Sequence, residues 1–313
     1  MDKRTITGFM LALLLIAVAV WAFFDRKTEN SVIFPVMGTV CECRFEMKTR
    51  HFDAAVRVVR HAFDEVTALA NLYDKDSELA RLNSSAHEKP FICSDELYKL
   101  LSYSRKAYRI SGGKFDISVK PLMDLWGFYR KTKQLPDKAE LAGTIALCGL
   151  EKAMFDDEKK SVYFPVKGMA FDLGGIAKGY ALDTAVKHLE DAGFIIERGT
   201  INLGGNLWLF GENQTYNIGI KDPANPERVK KFIRLTSPGA VSSSGDYERY
   251  VIIGKEKYGH IIDPHTGTPA IRDYAATVFA SSGIDSDWMS TVLFLGGENM
   301  QKKLDCKTYM VKK

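Results

Sequence analysis

The sequence predicts an α+β fold in which much of the sheet is antiparallel. Helix-like amphipathic segments dominate the first half of the chain, whereas short β-like runs separated by turn residues dominate from Val162 onward. A long helical pattern at 176–192 interrupts these runs, and another follows Ser286. Because strands and helices are grouped instead of alternating one for one, a doubly wound Rossmann sheet is not expected.

Three helical segments are predicted before the strand-rich half. Residues 51–72 form an amphipathic pattern, and residues 95–110 follow Ser94 as N-cap and end at the Ser-Gly-Gly sequence 111–113. Pro136 precedes a third, short helix that we expect to be capped near Gly149. The predicted strands lie at 39–45, 162–164, 169–172, 200–203, 207–210, 216–220, 232–235, 240–243, 250–253 and 260–262.

Length and composition are those of an ordinary globular protein. The 313 residues are 46% hydrophobic and 26% charged, which is ample material for one large domain or two interlocked ones. The formal net charge is only +4, and the basic residues are spread out and form no stripe interleaved with aromatic residues. Nucleic acid is therefore not the expected partner.

The N-terminal segment, residues 1–30, is predicted to be a membrane anchor and a short polar linker near 27–30, ahead of a catalytic domain at 31–313. Lys3 and Arg4 precede an uncharged run at 6–24, and about 20 apolar residues can span a bilayer. The positive flank stays in the cytoplasm, so the remainder is expected on the extracytoplasmic side of the inner membrane. A cleaved signal peptide, cut after 17–19 or 20–22, is the alternative. Bulky Phe23 and Phe24 disfavour cleavage, and the terminal position disfavours a buried core helix.

The five cysteines do not suggest a disulfide framework, because their number is odd in a chain expected to be exported. Cys41 and Cys43 alternate in a predicted strand and should share one face. A metal pair is conceivable there, but no second pair with ligand spacing exists in the sequence. We therefore interpret both as small buried residues.

The stretch DLGGIAKGYALD, residues 172–183, is the most informative motif. It is typical of a strand end, a tight Gly-Gly turn and a helix start. Gly174 and Gly175 would let the backbone approach a ligand, while the N–H groups of the helix start and Lys178 would form an anion site. Asp172 could accept hydrogen bonds from a base or sugar. Neither GxxxxGK[ST] nor GxGxxG is present, and an ordinary turn with a surface lysine is the alternative.

Three further groups of residues could carry chemistry. Tyr73, in a loop, could stack on a flat heterocycle or pack in the core. His260 could be a general base oriented by Asp263 or a backbone carbonyl, or a structural histidine. Asp287 and Thr291 are four residues apart on one helical face, and their oxygens suit Mg²⁺, although Asp287 could simply cap its helix.

The motifs as a set, in their order along the chain, closely resemble the FAD:protein FMN transferase family, the ApbE-type flavin transferases. The resemblance covers residues 36–297. Its motifs are Met-Gly-Thr at 37–39, YDKDSELARLN at 73–83, GKFDISVKPL and LWGF within 113–128, DLGGIAKGYALD at 172–183, NLGGN at 202–206, SSSGDYERY at 242–250, HIIDPHTG at 260–267 and SDWMST at 286–291. It implies a T-fold-like architecture, a largely antiparallel sheet with packed helices.

The resemblance also implies roles for particular residues. The flavin or the rest of FAD would be contacted by Met37, Tyr73, Lys114, Phe115, Asp116, Asp172, Lys178 and Ile261. Mg²⁺ would be held by the carbonyl of Ala177 with Asp287 and Thr291, and His260 would be required for transfer. Two positions depart from the family pattern: Trp288 is bulky in a motif that is usually Ala-Asp-Ala-Leu-Ser-Thr, and Asn206 stands where an acidic residue is common.

The implied activity is Mg²⁺-dependent transfer of the FMN part of FAD to a threonine or serine hydroxyl of an acceptor protein, with AMP as leaving group. A membrane redox subunit is the expected acceptor. One alternative is a metal-dependent FAD pyrophosphatase that uses water. Another is a membrane-anchored flavin-binding protein without turnover, which the presence of His260, Asp287 and Thr291 disfavours.

Overall fold

A computed structural model describes residues 2–129 and 134–313, apart from the side chains of residues 3–6 and 19–25. The strands are β1 Lys27–Val36, β2 Thr39–Lys48, β3 Phe91–Ile92, β4 Met154–Asp156, β5 Ser161–Tyr163, β6 Arg198–Leu203, β7 Asn206–Phe210, β8 Thr215–Asp222, β9 Asn225–Thr236, β10 Gly239–Ser244, β11 Tyr250–Ile253, β12 Glu256–Gly259, β13 Ile262–Asp263, β14 Thr268–Pro269, β15 Tyr274–Ala280 and β16 Lys307–Lys312. The helices are α1 Lys3–Asp25, α2 Thr49–Ala70, α3 Glu78–Ser85, α4 Asp95–Ser111, α5 Lys120–Leu125, α6 Lys138–Ile145, α7 Ala177–Asp191 and α8 Gly283–Gln301.

A seven-stranded sheet in the order β1-β2-β6-β7-β10-β15-β16 organises the molecule. Every neighbouring pair in it is antiparallel, which confirms the predicted fold class. Helices α2, α7 and α8 pack together on one face of this sheet. On the other face, the β8–β9 hairpin buries a separate apolar cluster that includes Tyr216, Ile233 and Val241. The sheet is thus covered on both sides, as its alternating side chains require.

Two tight turns mark the end of the sheet that carries the candidate site. Met37 and Gly38, between β1 and β2, have φ of +50° and +70°. Gly204 and Gly205, between β6 and β7, have φ of +57° and +95°. Positive φ at both central residues is the pattern of two-residue hairpins whose twist matches the sheet. The two turns are neighbours, since the Gly204 N–H donates to the Val40 carbonyl at 3.0 Å.

The long predicted helices are confirmed, with local reasons for their ends. The Ser94 hydroxyl accepts a hydrogen bond from the Leu97 N–H and so starts α4, and Gly112 ends it in the left-handed region. Helix α6 begins at a capping box of Asp137 and Glu140. Its C-cap is Ala146, so the predicted cap at Gly149 is wrong.

Several predicted boundaries are corrected by tertiary contacts. Residues 169–172 form no strand, because the Asn83 side chain bonds the N–H and carbonyl of Phe171 in place of a neighbouring strand. Helix α8 starts at Gly283 after the N-cap Ser282, ahead of the predicted start after Ser286. His260 precedes β13 instead of lying in it. The predicted linker at 27–30 is wrong, since these residues already pair with β2.

The N-terminal residues form α1, which leads directly into β1. Among the described residues, no helix combines the length and apolarity needed to cross a membrane. The predicted span at 6–24 includes residues 6 and 19–24, whose side chains lie outside the described part of the chain.

The cysteine interpretation is confirmed. All five thiols are free, and the Cys41 and Cys43 side chains are fully buried with their sulfurs 3.8 Å apart. The contact with Cys41 and the burial of Cys43 raise the pKa of the Cys43 thiol. Both are therefore core thiols of low reactivity.

Candidate active site

The N-terminal turns of α7 and α8 meet at two glycines. A Cβ on Gly179 would lie 2.2 Å from the Gly283 carbonyl oxygen, and a Cβ on Gly283 would lie 2.4 Å from the Gly179 oxygen. Neither distance is sterically possible, so only glycine allows this close approach. The contact brings the DLGGIAKG and SDWMST motifs together although they are more than a hundred residues apart in the chain.

Each of these helices carries an aspartate that caps the other one. The Asp287 carboxylate of α8 accepts the Gly179 N–H of α7 at 2.8 Å. The Asp183 carboxylate of α7 accepts the Gly283 and Ile284 N–H groups of α8 at 2.6 and 2.9 Å. Asp287 therefore does not cap its own helix, which was the alternative for this residue. Burial raises the pKa of Asp183 to about 6, against the effect of its two N–H donors.

Oxygen donors gather beside this crossing. Thr291 lies one turn after Asp287, and its hydroxyl oxygen is 3.4 Å from that of Ser244 at the end of β10. A Cβ on Gly175 would lie 3.8 Å from the Thr291 hydroxyl, so the Gly-Gly turn faces Thr291. Asp287, through its bond to Gly179, and Thr291, which faces Gly175, thus both lie against the start of α7, where Ala177 is the first residue. Such donors suit a hard cation.

The donor set is poor in charge. The described part of the chain contains no group of three or more histidine, cysteine, aspartate or glutamate side chains that could together hold a metal ion. One carboxylate with neutral oxygens fits Mg²⁺, which usually keeps several waters and takes further ligands from substrate phosphates. The residues present therefore fit Mg²⁺ that is bound together with a diphosphate.

The predicted anion site is more closed than expected. The Gly174 N–H bonds the Asp172 carboxylate, the Ala177 N–H bonds the Leu173 carbonyl, and the Gly179 N–H bonds Asp287. Gly174 and Gly175 do not adopt positive φ, and a Cβ on Gly175 would lie 3.1 Å from the Phe115 ring, which is a tight contact. Half-buried Lys178 remains as the charged group of this helix start.

An aromatic shelf, formed by Tyr73, Tyr129 and Arg249, lies on another side of the site. Tyr73 is 72% exposed, so the core-packing alternative for it is wrong. Its ring centroid is 5.5 Å from that of Tyr129. Arg249 donates to the Tyr73 hydroxyl at 3.0 Å and to the Phe128 carbonyl at 2.6 Å. The Tyr129 hydroxyl donates to Asp172 at 2.7 Å, which joins the shelf to the DLGG segment.

His260 is held in one tautomer by the same arginine residue. Its Nδ1 is 3.1 Å from the Arg249 carbonyl oxygen, which can only accept a hydrogen bond. Nδ1 therefore carries the proton and Nε2 keeps its lone pair. Desolvation of the half-buried ring, with smaller effects of the Lys178 and Arg249 cations, lowers the pKa of His260 from the usual 6.5 to about 4. The orienting group is this carbonyl, whereas Asp263 accepts the His265 N–H.

The remaining predicted contact residues are divided between surface and core. Both carboxylate oxygens of Asp116 are bonded within the protein, to Ser118 and Leu150, and burial raises its pKa. Phe115 and Ile261 are buried, with 5% and 7% of their surface exposed. Lys114 is half-buried, and Met37 lies at the tip of its turn with positive φ. Asp116 is thus the N-cap of the turn 117–119, and its contact with FAD stays a prediction.

Comparison with known proteins decides the family. The model of the ApbE family matches residues 37–309. The chain belongs to the ApbE family. It is 30% identical over 275 residues to the FAD:protein FMN transferase of Vibrio cholerae serotype O1, covering 84% of this chain and 80% of the relative. It is 31% identical over 246 residues to that of Haemophilus influenzae, covering 75% and 70%.

Solved structures agree with this assignment. The ApbE protein of Thermotoga maritima superposes with a TM-score of 0.82 at 27% identity, covering 91% of this chain and 94% of the other. A histidine-to-glycine mutant of the flavin transferase ApbE from V. cholerae gives 0.79 at 25% identity, covering 91% and 94%. The overall architecture described above is therefore the ApbE fold.

The two departures from the family pattern have different structural outcomes. Trp288 is 2% exposed, its ring packs edge-on against Phe115 at 6.4 Å, and its indole N–H donates to Asp285. The core of the protein thus accommodates this bulky side chain. Asn206 is 3% exposed, and its side-chain nitrogen has no hydrogen-bond partner among the described residues. Strand alternation puts Asn206 on the face that carries α7 and α8, because Leu209 faces the β8–β9 hairpin.

The sequence motifs did not single out Asp183, Tyr129 or Arg249 as functional residues. Asp183 is the last residue of the DLGGIAKGYALD motif, and Arg249 lies in SSSGDYERY, so motif membership was the available signal for both. Tyr129 directly follows LWGF. Its role depends on contacts with Tyr73 and Asp172, which no local pattern indicates.

Proposed function

We propose that this protein transfers the FMN part of FAD to a threonine or serine hydroxyl of an acceptor protein and releases AMP. The observation that carries this is the crossing of α7 and α8, which puts Asp287 and Thr291 at the start of α7. Lys178 lies in that first turn, and its ammonium lowers the pKa of His260, which supports a place for the histidine on the same side of the molecule. Membership of a family whose relatives are FAD:protein FMN transferases supports the same reaction.

The chemistry follows from the groups in place. The Nε2 of His260 accepts the proton of the acceptor hydroxyl while its oxygen attacks the FMN-side phosphorus. A new O–P bond forms, the P–O–P bond breaks in line, and AMP leaves with the electron pair of that bond. Lys178 would stabilise the charge of the diphosphate. Mg²⁺, held by Asp287, Thr291 and the Ala177 carbonyl, would supply charge neutralisation at the diphosphate.

The aromatic shelf is the proposed flavin contact. Tyr73 presents an exposed ring, and Arg249 and Tyr129 fix its position. Flat heterocycles stack on such rings, and the rigid support reduces the entropy lost on binding. Met37, in the turn between β1 and β2, is the second flavin contact that the family resemblance implies.

We also propose that α1 anchors the protein in the inner membrane, with the catalytic domain on the extracytoplasmic side. The support is the uncharged run at 6–24 and the flanking Lys3 and Arg4. The proposed acceptor is then a membrane redox subunit that exposes a threonine or serine on the same side.

The decisive experiment detects flavin that has become covalently attached to an acceptor protein. The full chain is incubated with FAD and Mg²⁺, with and without membrane proteins of a strain that lacks this protein, and denaturing gels are read for flavin fluorescence. The proposal expects a fluorescent acceptor band that depends on the enzyme and on Mg²⁺. Free FMN with no fluorescent band under any condition would identify a pyrophosphatase that uses water instead.

A further inference from the structure

A groove lies on the face of the central sheet opposite to α7 and α8. It has a volume of about 300 Å³, the lower end of the range for ligand sites. Residues 217–221 of β8 form one wall. Val241 and Ser243 of β10 with Thr277 of β15 form the floor, and the segment that contains Tyr247 and Glu248 closes one end. The reaction described above does not account for this groove.

The wall of the groove is a strand with a free edge. Within the described residues, β8 pairs only with β9, and its residues 217–221 line the groove. The wall from 217 to 221 is about 13 Å long at the usual rise of a strand. An exposed edge of this length can accept an extended polypeptide through main-chain hydrogen bonds.

The groove and the candidate active site share the end of β10. Ser243 lies in the groove floor, while the next residue, Ser244, faces the opposite side and contacts Thr291. The chain then passes Tyr247 and Glu248 at the end of the groove and reaches Arg249, whose carbonyl orients His260. The segment 243–249 therefore contributes residues both to this groove and to the surroundings of Thr291 and His260.

The β8–β9 hairpin beside the groove is basic. Five cationic side chains stand against two carboxylates in its strands: Lys221, Arg228, Lys230, Lys231 and Arg234 against Asp222 and Glu227. Lys221 also lines the groove, where Glu248 at the end is the opposing charge. The surroundings therefore favour an occupant that carries carboxylates.

We propose that this groove binds the acceptor protein, as an extended acidic segment that pairs with the edge of β8 and leads its hydroxyl residue to His260. This rests on the proposed function, because only a protein acceptor needs a docking surface. It assigns recognition of the acceptor to the opposite sheet face from FAD. FAD binding and acceptor binding should therefore respond to different substitutions.

The test measures peptide binding without FAD. Fluorescein-labelled nonapeptides with one central threonine, flanked by aspartates or by lysines, are titrated with the full chain and followed by fluorescence anisotropy. The aspartate peptide should bind at least about tenfold more tightly than the lysine peptide. Asn217→Trp, which fills the groove, and Lys221→Glu should each weaken it by about tenfold or more, with unchanged affinity for FAD.

Matched controls lie outside the groove. Asn225→Trp, in the same hairpin, and Lys99→Glu, in α4, make the same chemical changes at exposed positions that do not line it, and both should bind the aspartate peptide within about threefold of wild type. Equal losses of peptide affinity in the groove and control variants, or equal affinity for the two peptides, would overturn the proposal that the groove binds the acceptor. Groove-dependent binding of the aspartate peptide without any flavin transfer would instead overturn the proposed function alone.

Discussion

His260 is positioned as a base that is ready at neutral pH. Its Nδ1 is committed to the Arg249 carbonyl, and burial lowers its pKa to about 4, so Nε2 is unprotonated well below pH 7. A base works only when deprotonated. Activity should therefore be flat from about pH 5.5 to 7.5 and fall as the pH drops through about 4, which a pH profile of the transfer rate would show.

His260→Ala should lose transfer by about 10²-fold or more while it keeps FAD binding, measured by flavin fluorescence quenching. His265→Ala is the control, because that side chain is exposed and bonds only locally. A rate for His260→Ala within a few-fold of wild type would make His260 structural, and an acid limb near pH 6.5 would contradict the effect of its surroundings.

Asp287 has two roles. It accepts the Gly179 N–H, and it is the one carboxylate among the proposed metal ligands. Asp287→Asn keeps an oxygen that can accept the Gly179 N–H but removes the charge. We expect loss of Mg²⁺-dependent transfer with a melting temperature close to that of wild type. Asp191→Asn, at the exposed end of α7, should be fully active. Wild-type activity of Asp287→Asn at limiting Mg²⁺ would remove Asp287 from the metal site.

At the scale of elements, the crossing of α7 and α8 depends on its two glycines. Gly179→Ala would put a Cβ 2.2 Å from the Gly283 carbonyl and force the helices apart. We expect the free energy of unfolding in urea to fall by about 1–3 kcal/mol, the usual cost of overpacking. Gly143→Ala, in α6 with open space around it, should be neutral or stabilising by up to about 1 kcal/mol. Equal stabilities of the two variants would contradict the close crossing.

The cap that Asp183 provides for α8 should make stability depend on pH. Its pKa is about 6 in the folded protein, above the ordinary value of 3.8 for an aspartate. The folded state therefore binds this proton more tightly, and its contribution to stability is present below about pH 4 and lost as the pH rises through 6. This difference between the folded and unfolded pKa values corresponds to a contribution of roughly 3 kcal/mol to the free energy of unfolding.

The side chain of Asp183→Asn cannot titrate. The difference in free energy of unfolding between wild type and this variant should therefore change by roughly 3 kcal/mol between pH 4 and 7, with wild type relatively more stable at pH 4. Urea unfolding at several pH values measures it. A difference that does not vary with pH would show that the Asp183 carboxyl titrates as in the unfolded chain.

At the scale of the whole molecule, the proposed anchor predicts where the protein is found. The native chain should sediment with membranes, resist extraction by alkaline carbonate, and expose its catalytic domain to protease added on the extracytoplasmic side. Deletion of residues 2–26, which removes α1 and leaves β1 intact, should release it into the soluble fraction. A soluble native protein that lacks about the first 22 residues would identify a cleaved signal peptide instead.

The sequence alone determined the fold class, the long helices and the principal motifs. Periodicity marked α2, α4 and α7, and local caps such as Ser94 set their ends, because these signals depend on neighbours in the chain. The resemblance to the ApbE family also followed from the order of motifs, and the family match confirms it. Residue types suited to base and metal chemistry could be named because chemistry is a property of the side chain.

Only the tertiary structure decided which of these residues meet and in which state. The mutual capping by Asp183 and Asp287, the support of Tyr73 by Arg249, and the tautomer of His260 each join segments far apart in sequence. Residues 169–172 are not a strand because the Asn83 amide occupies their backbone groups. The pKa of His260 lies below the usual 6.5 of a histidine because burial and nearby cations act through space, and the order of residues along a chain carries no direct measure of either.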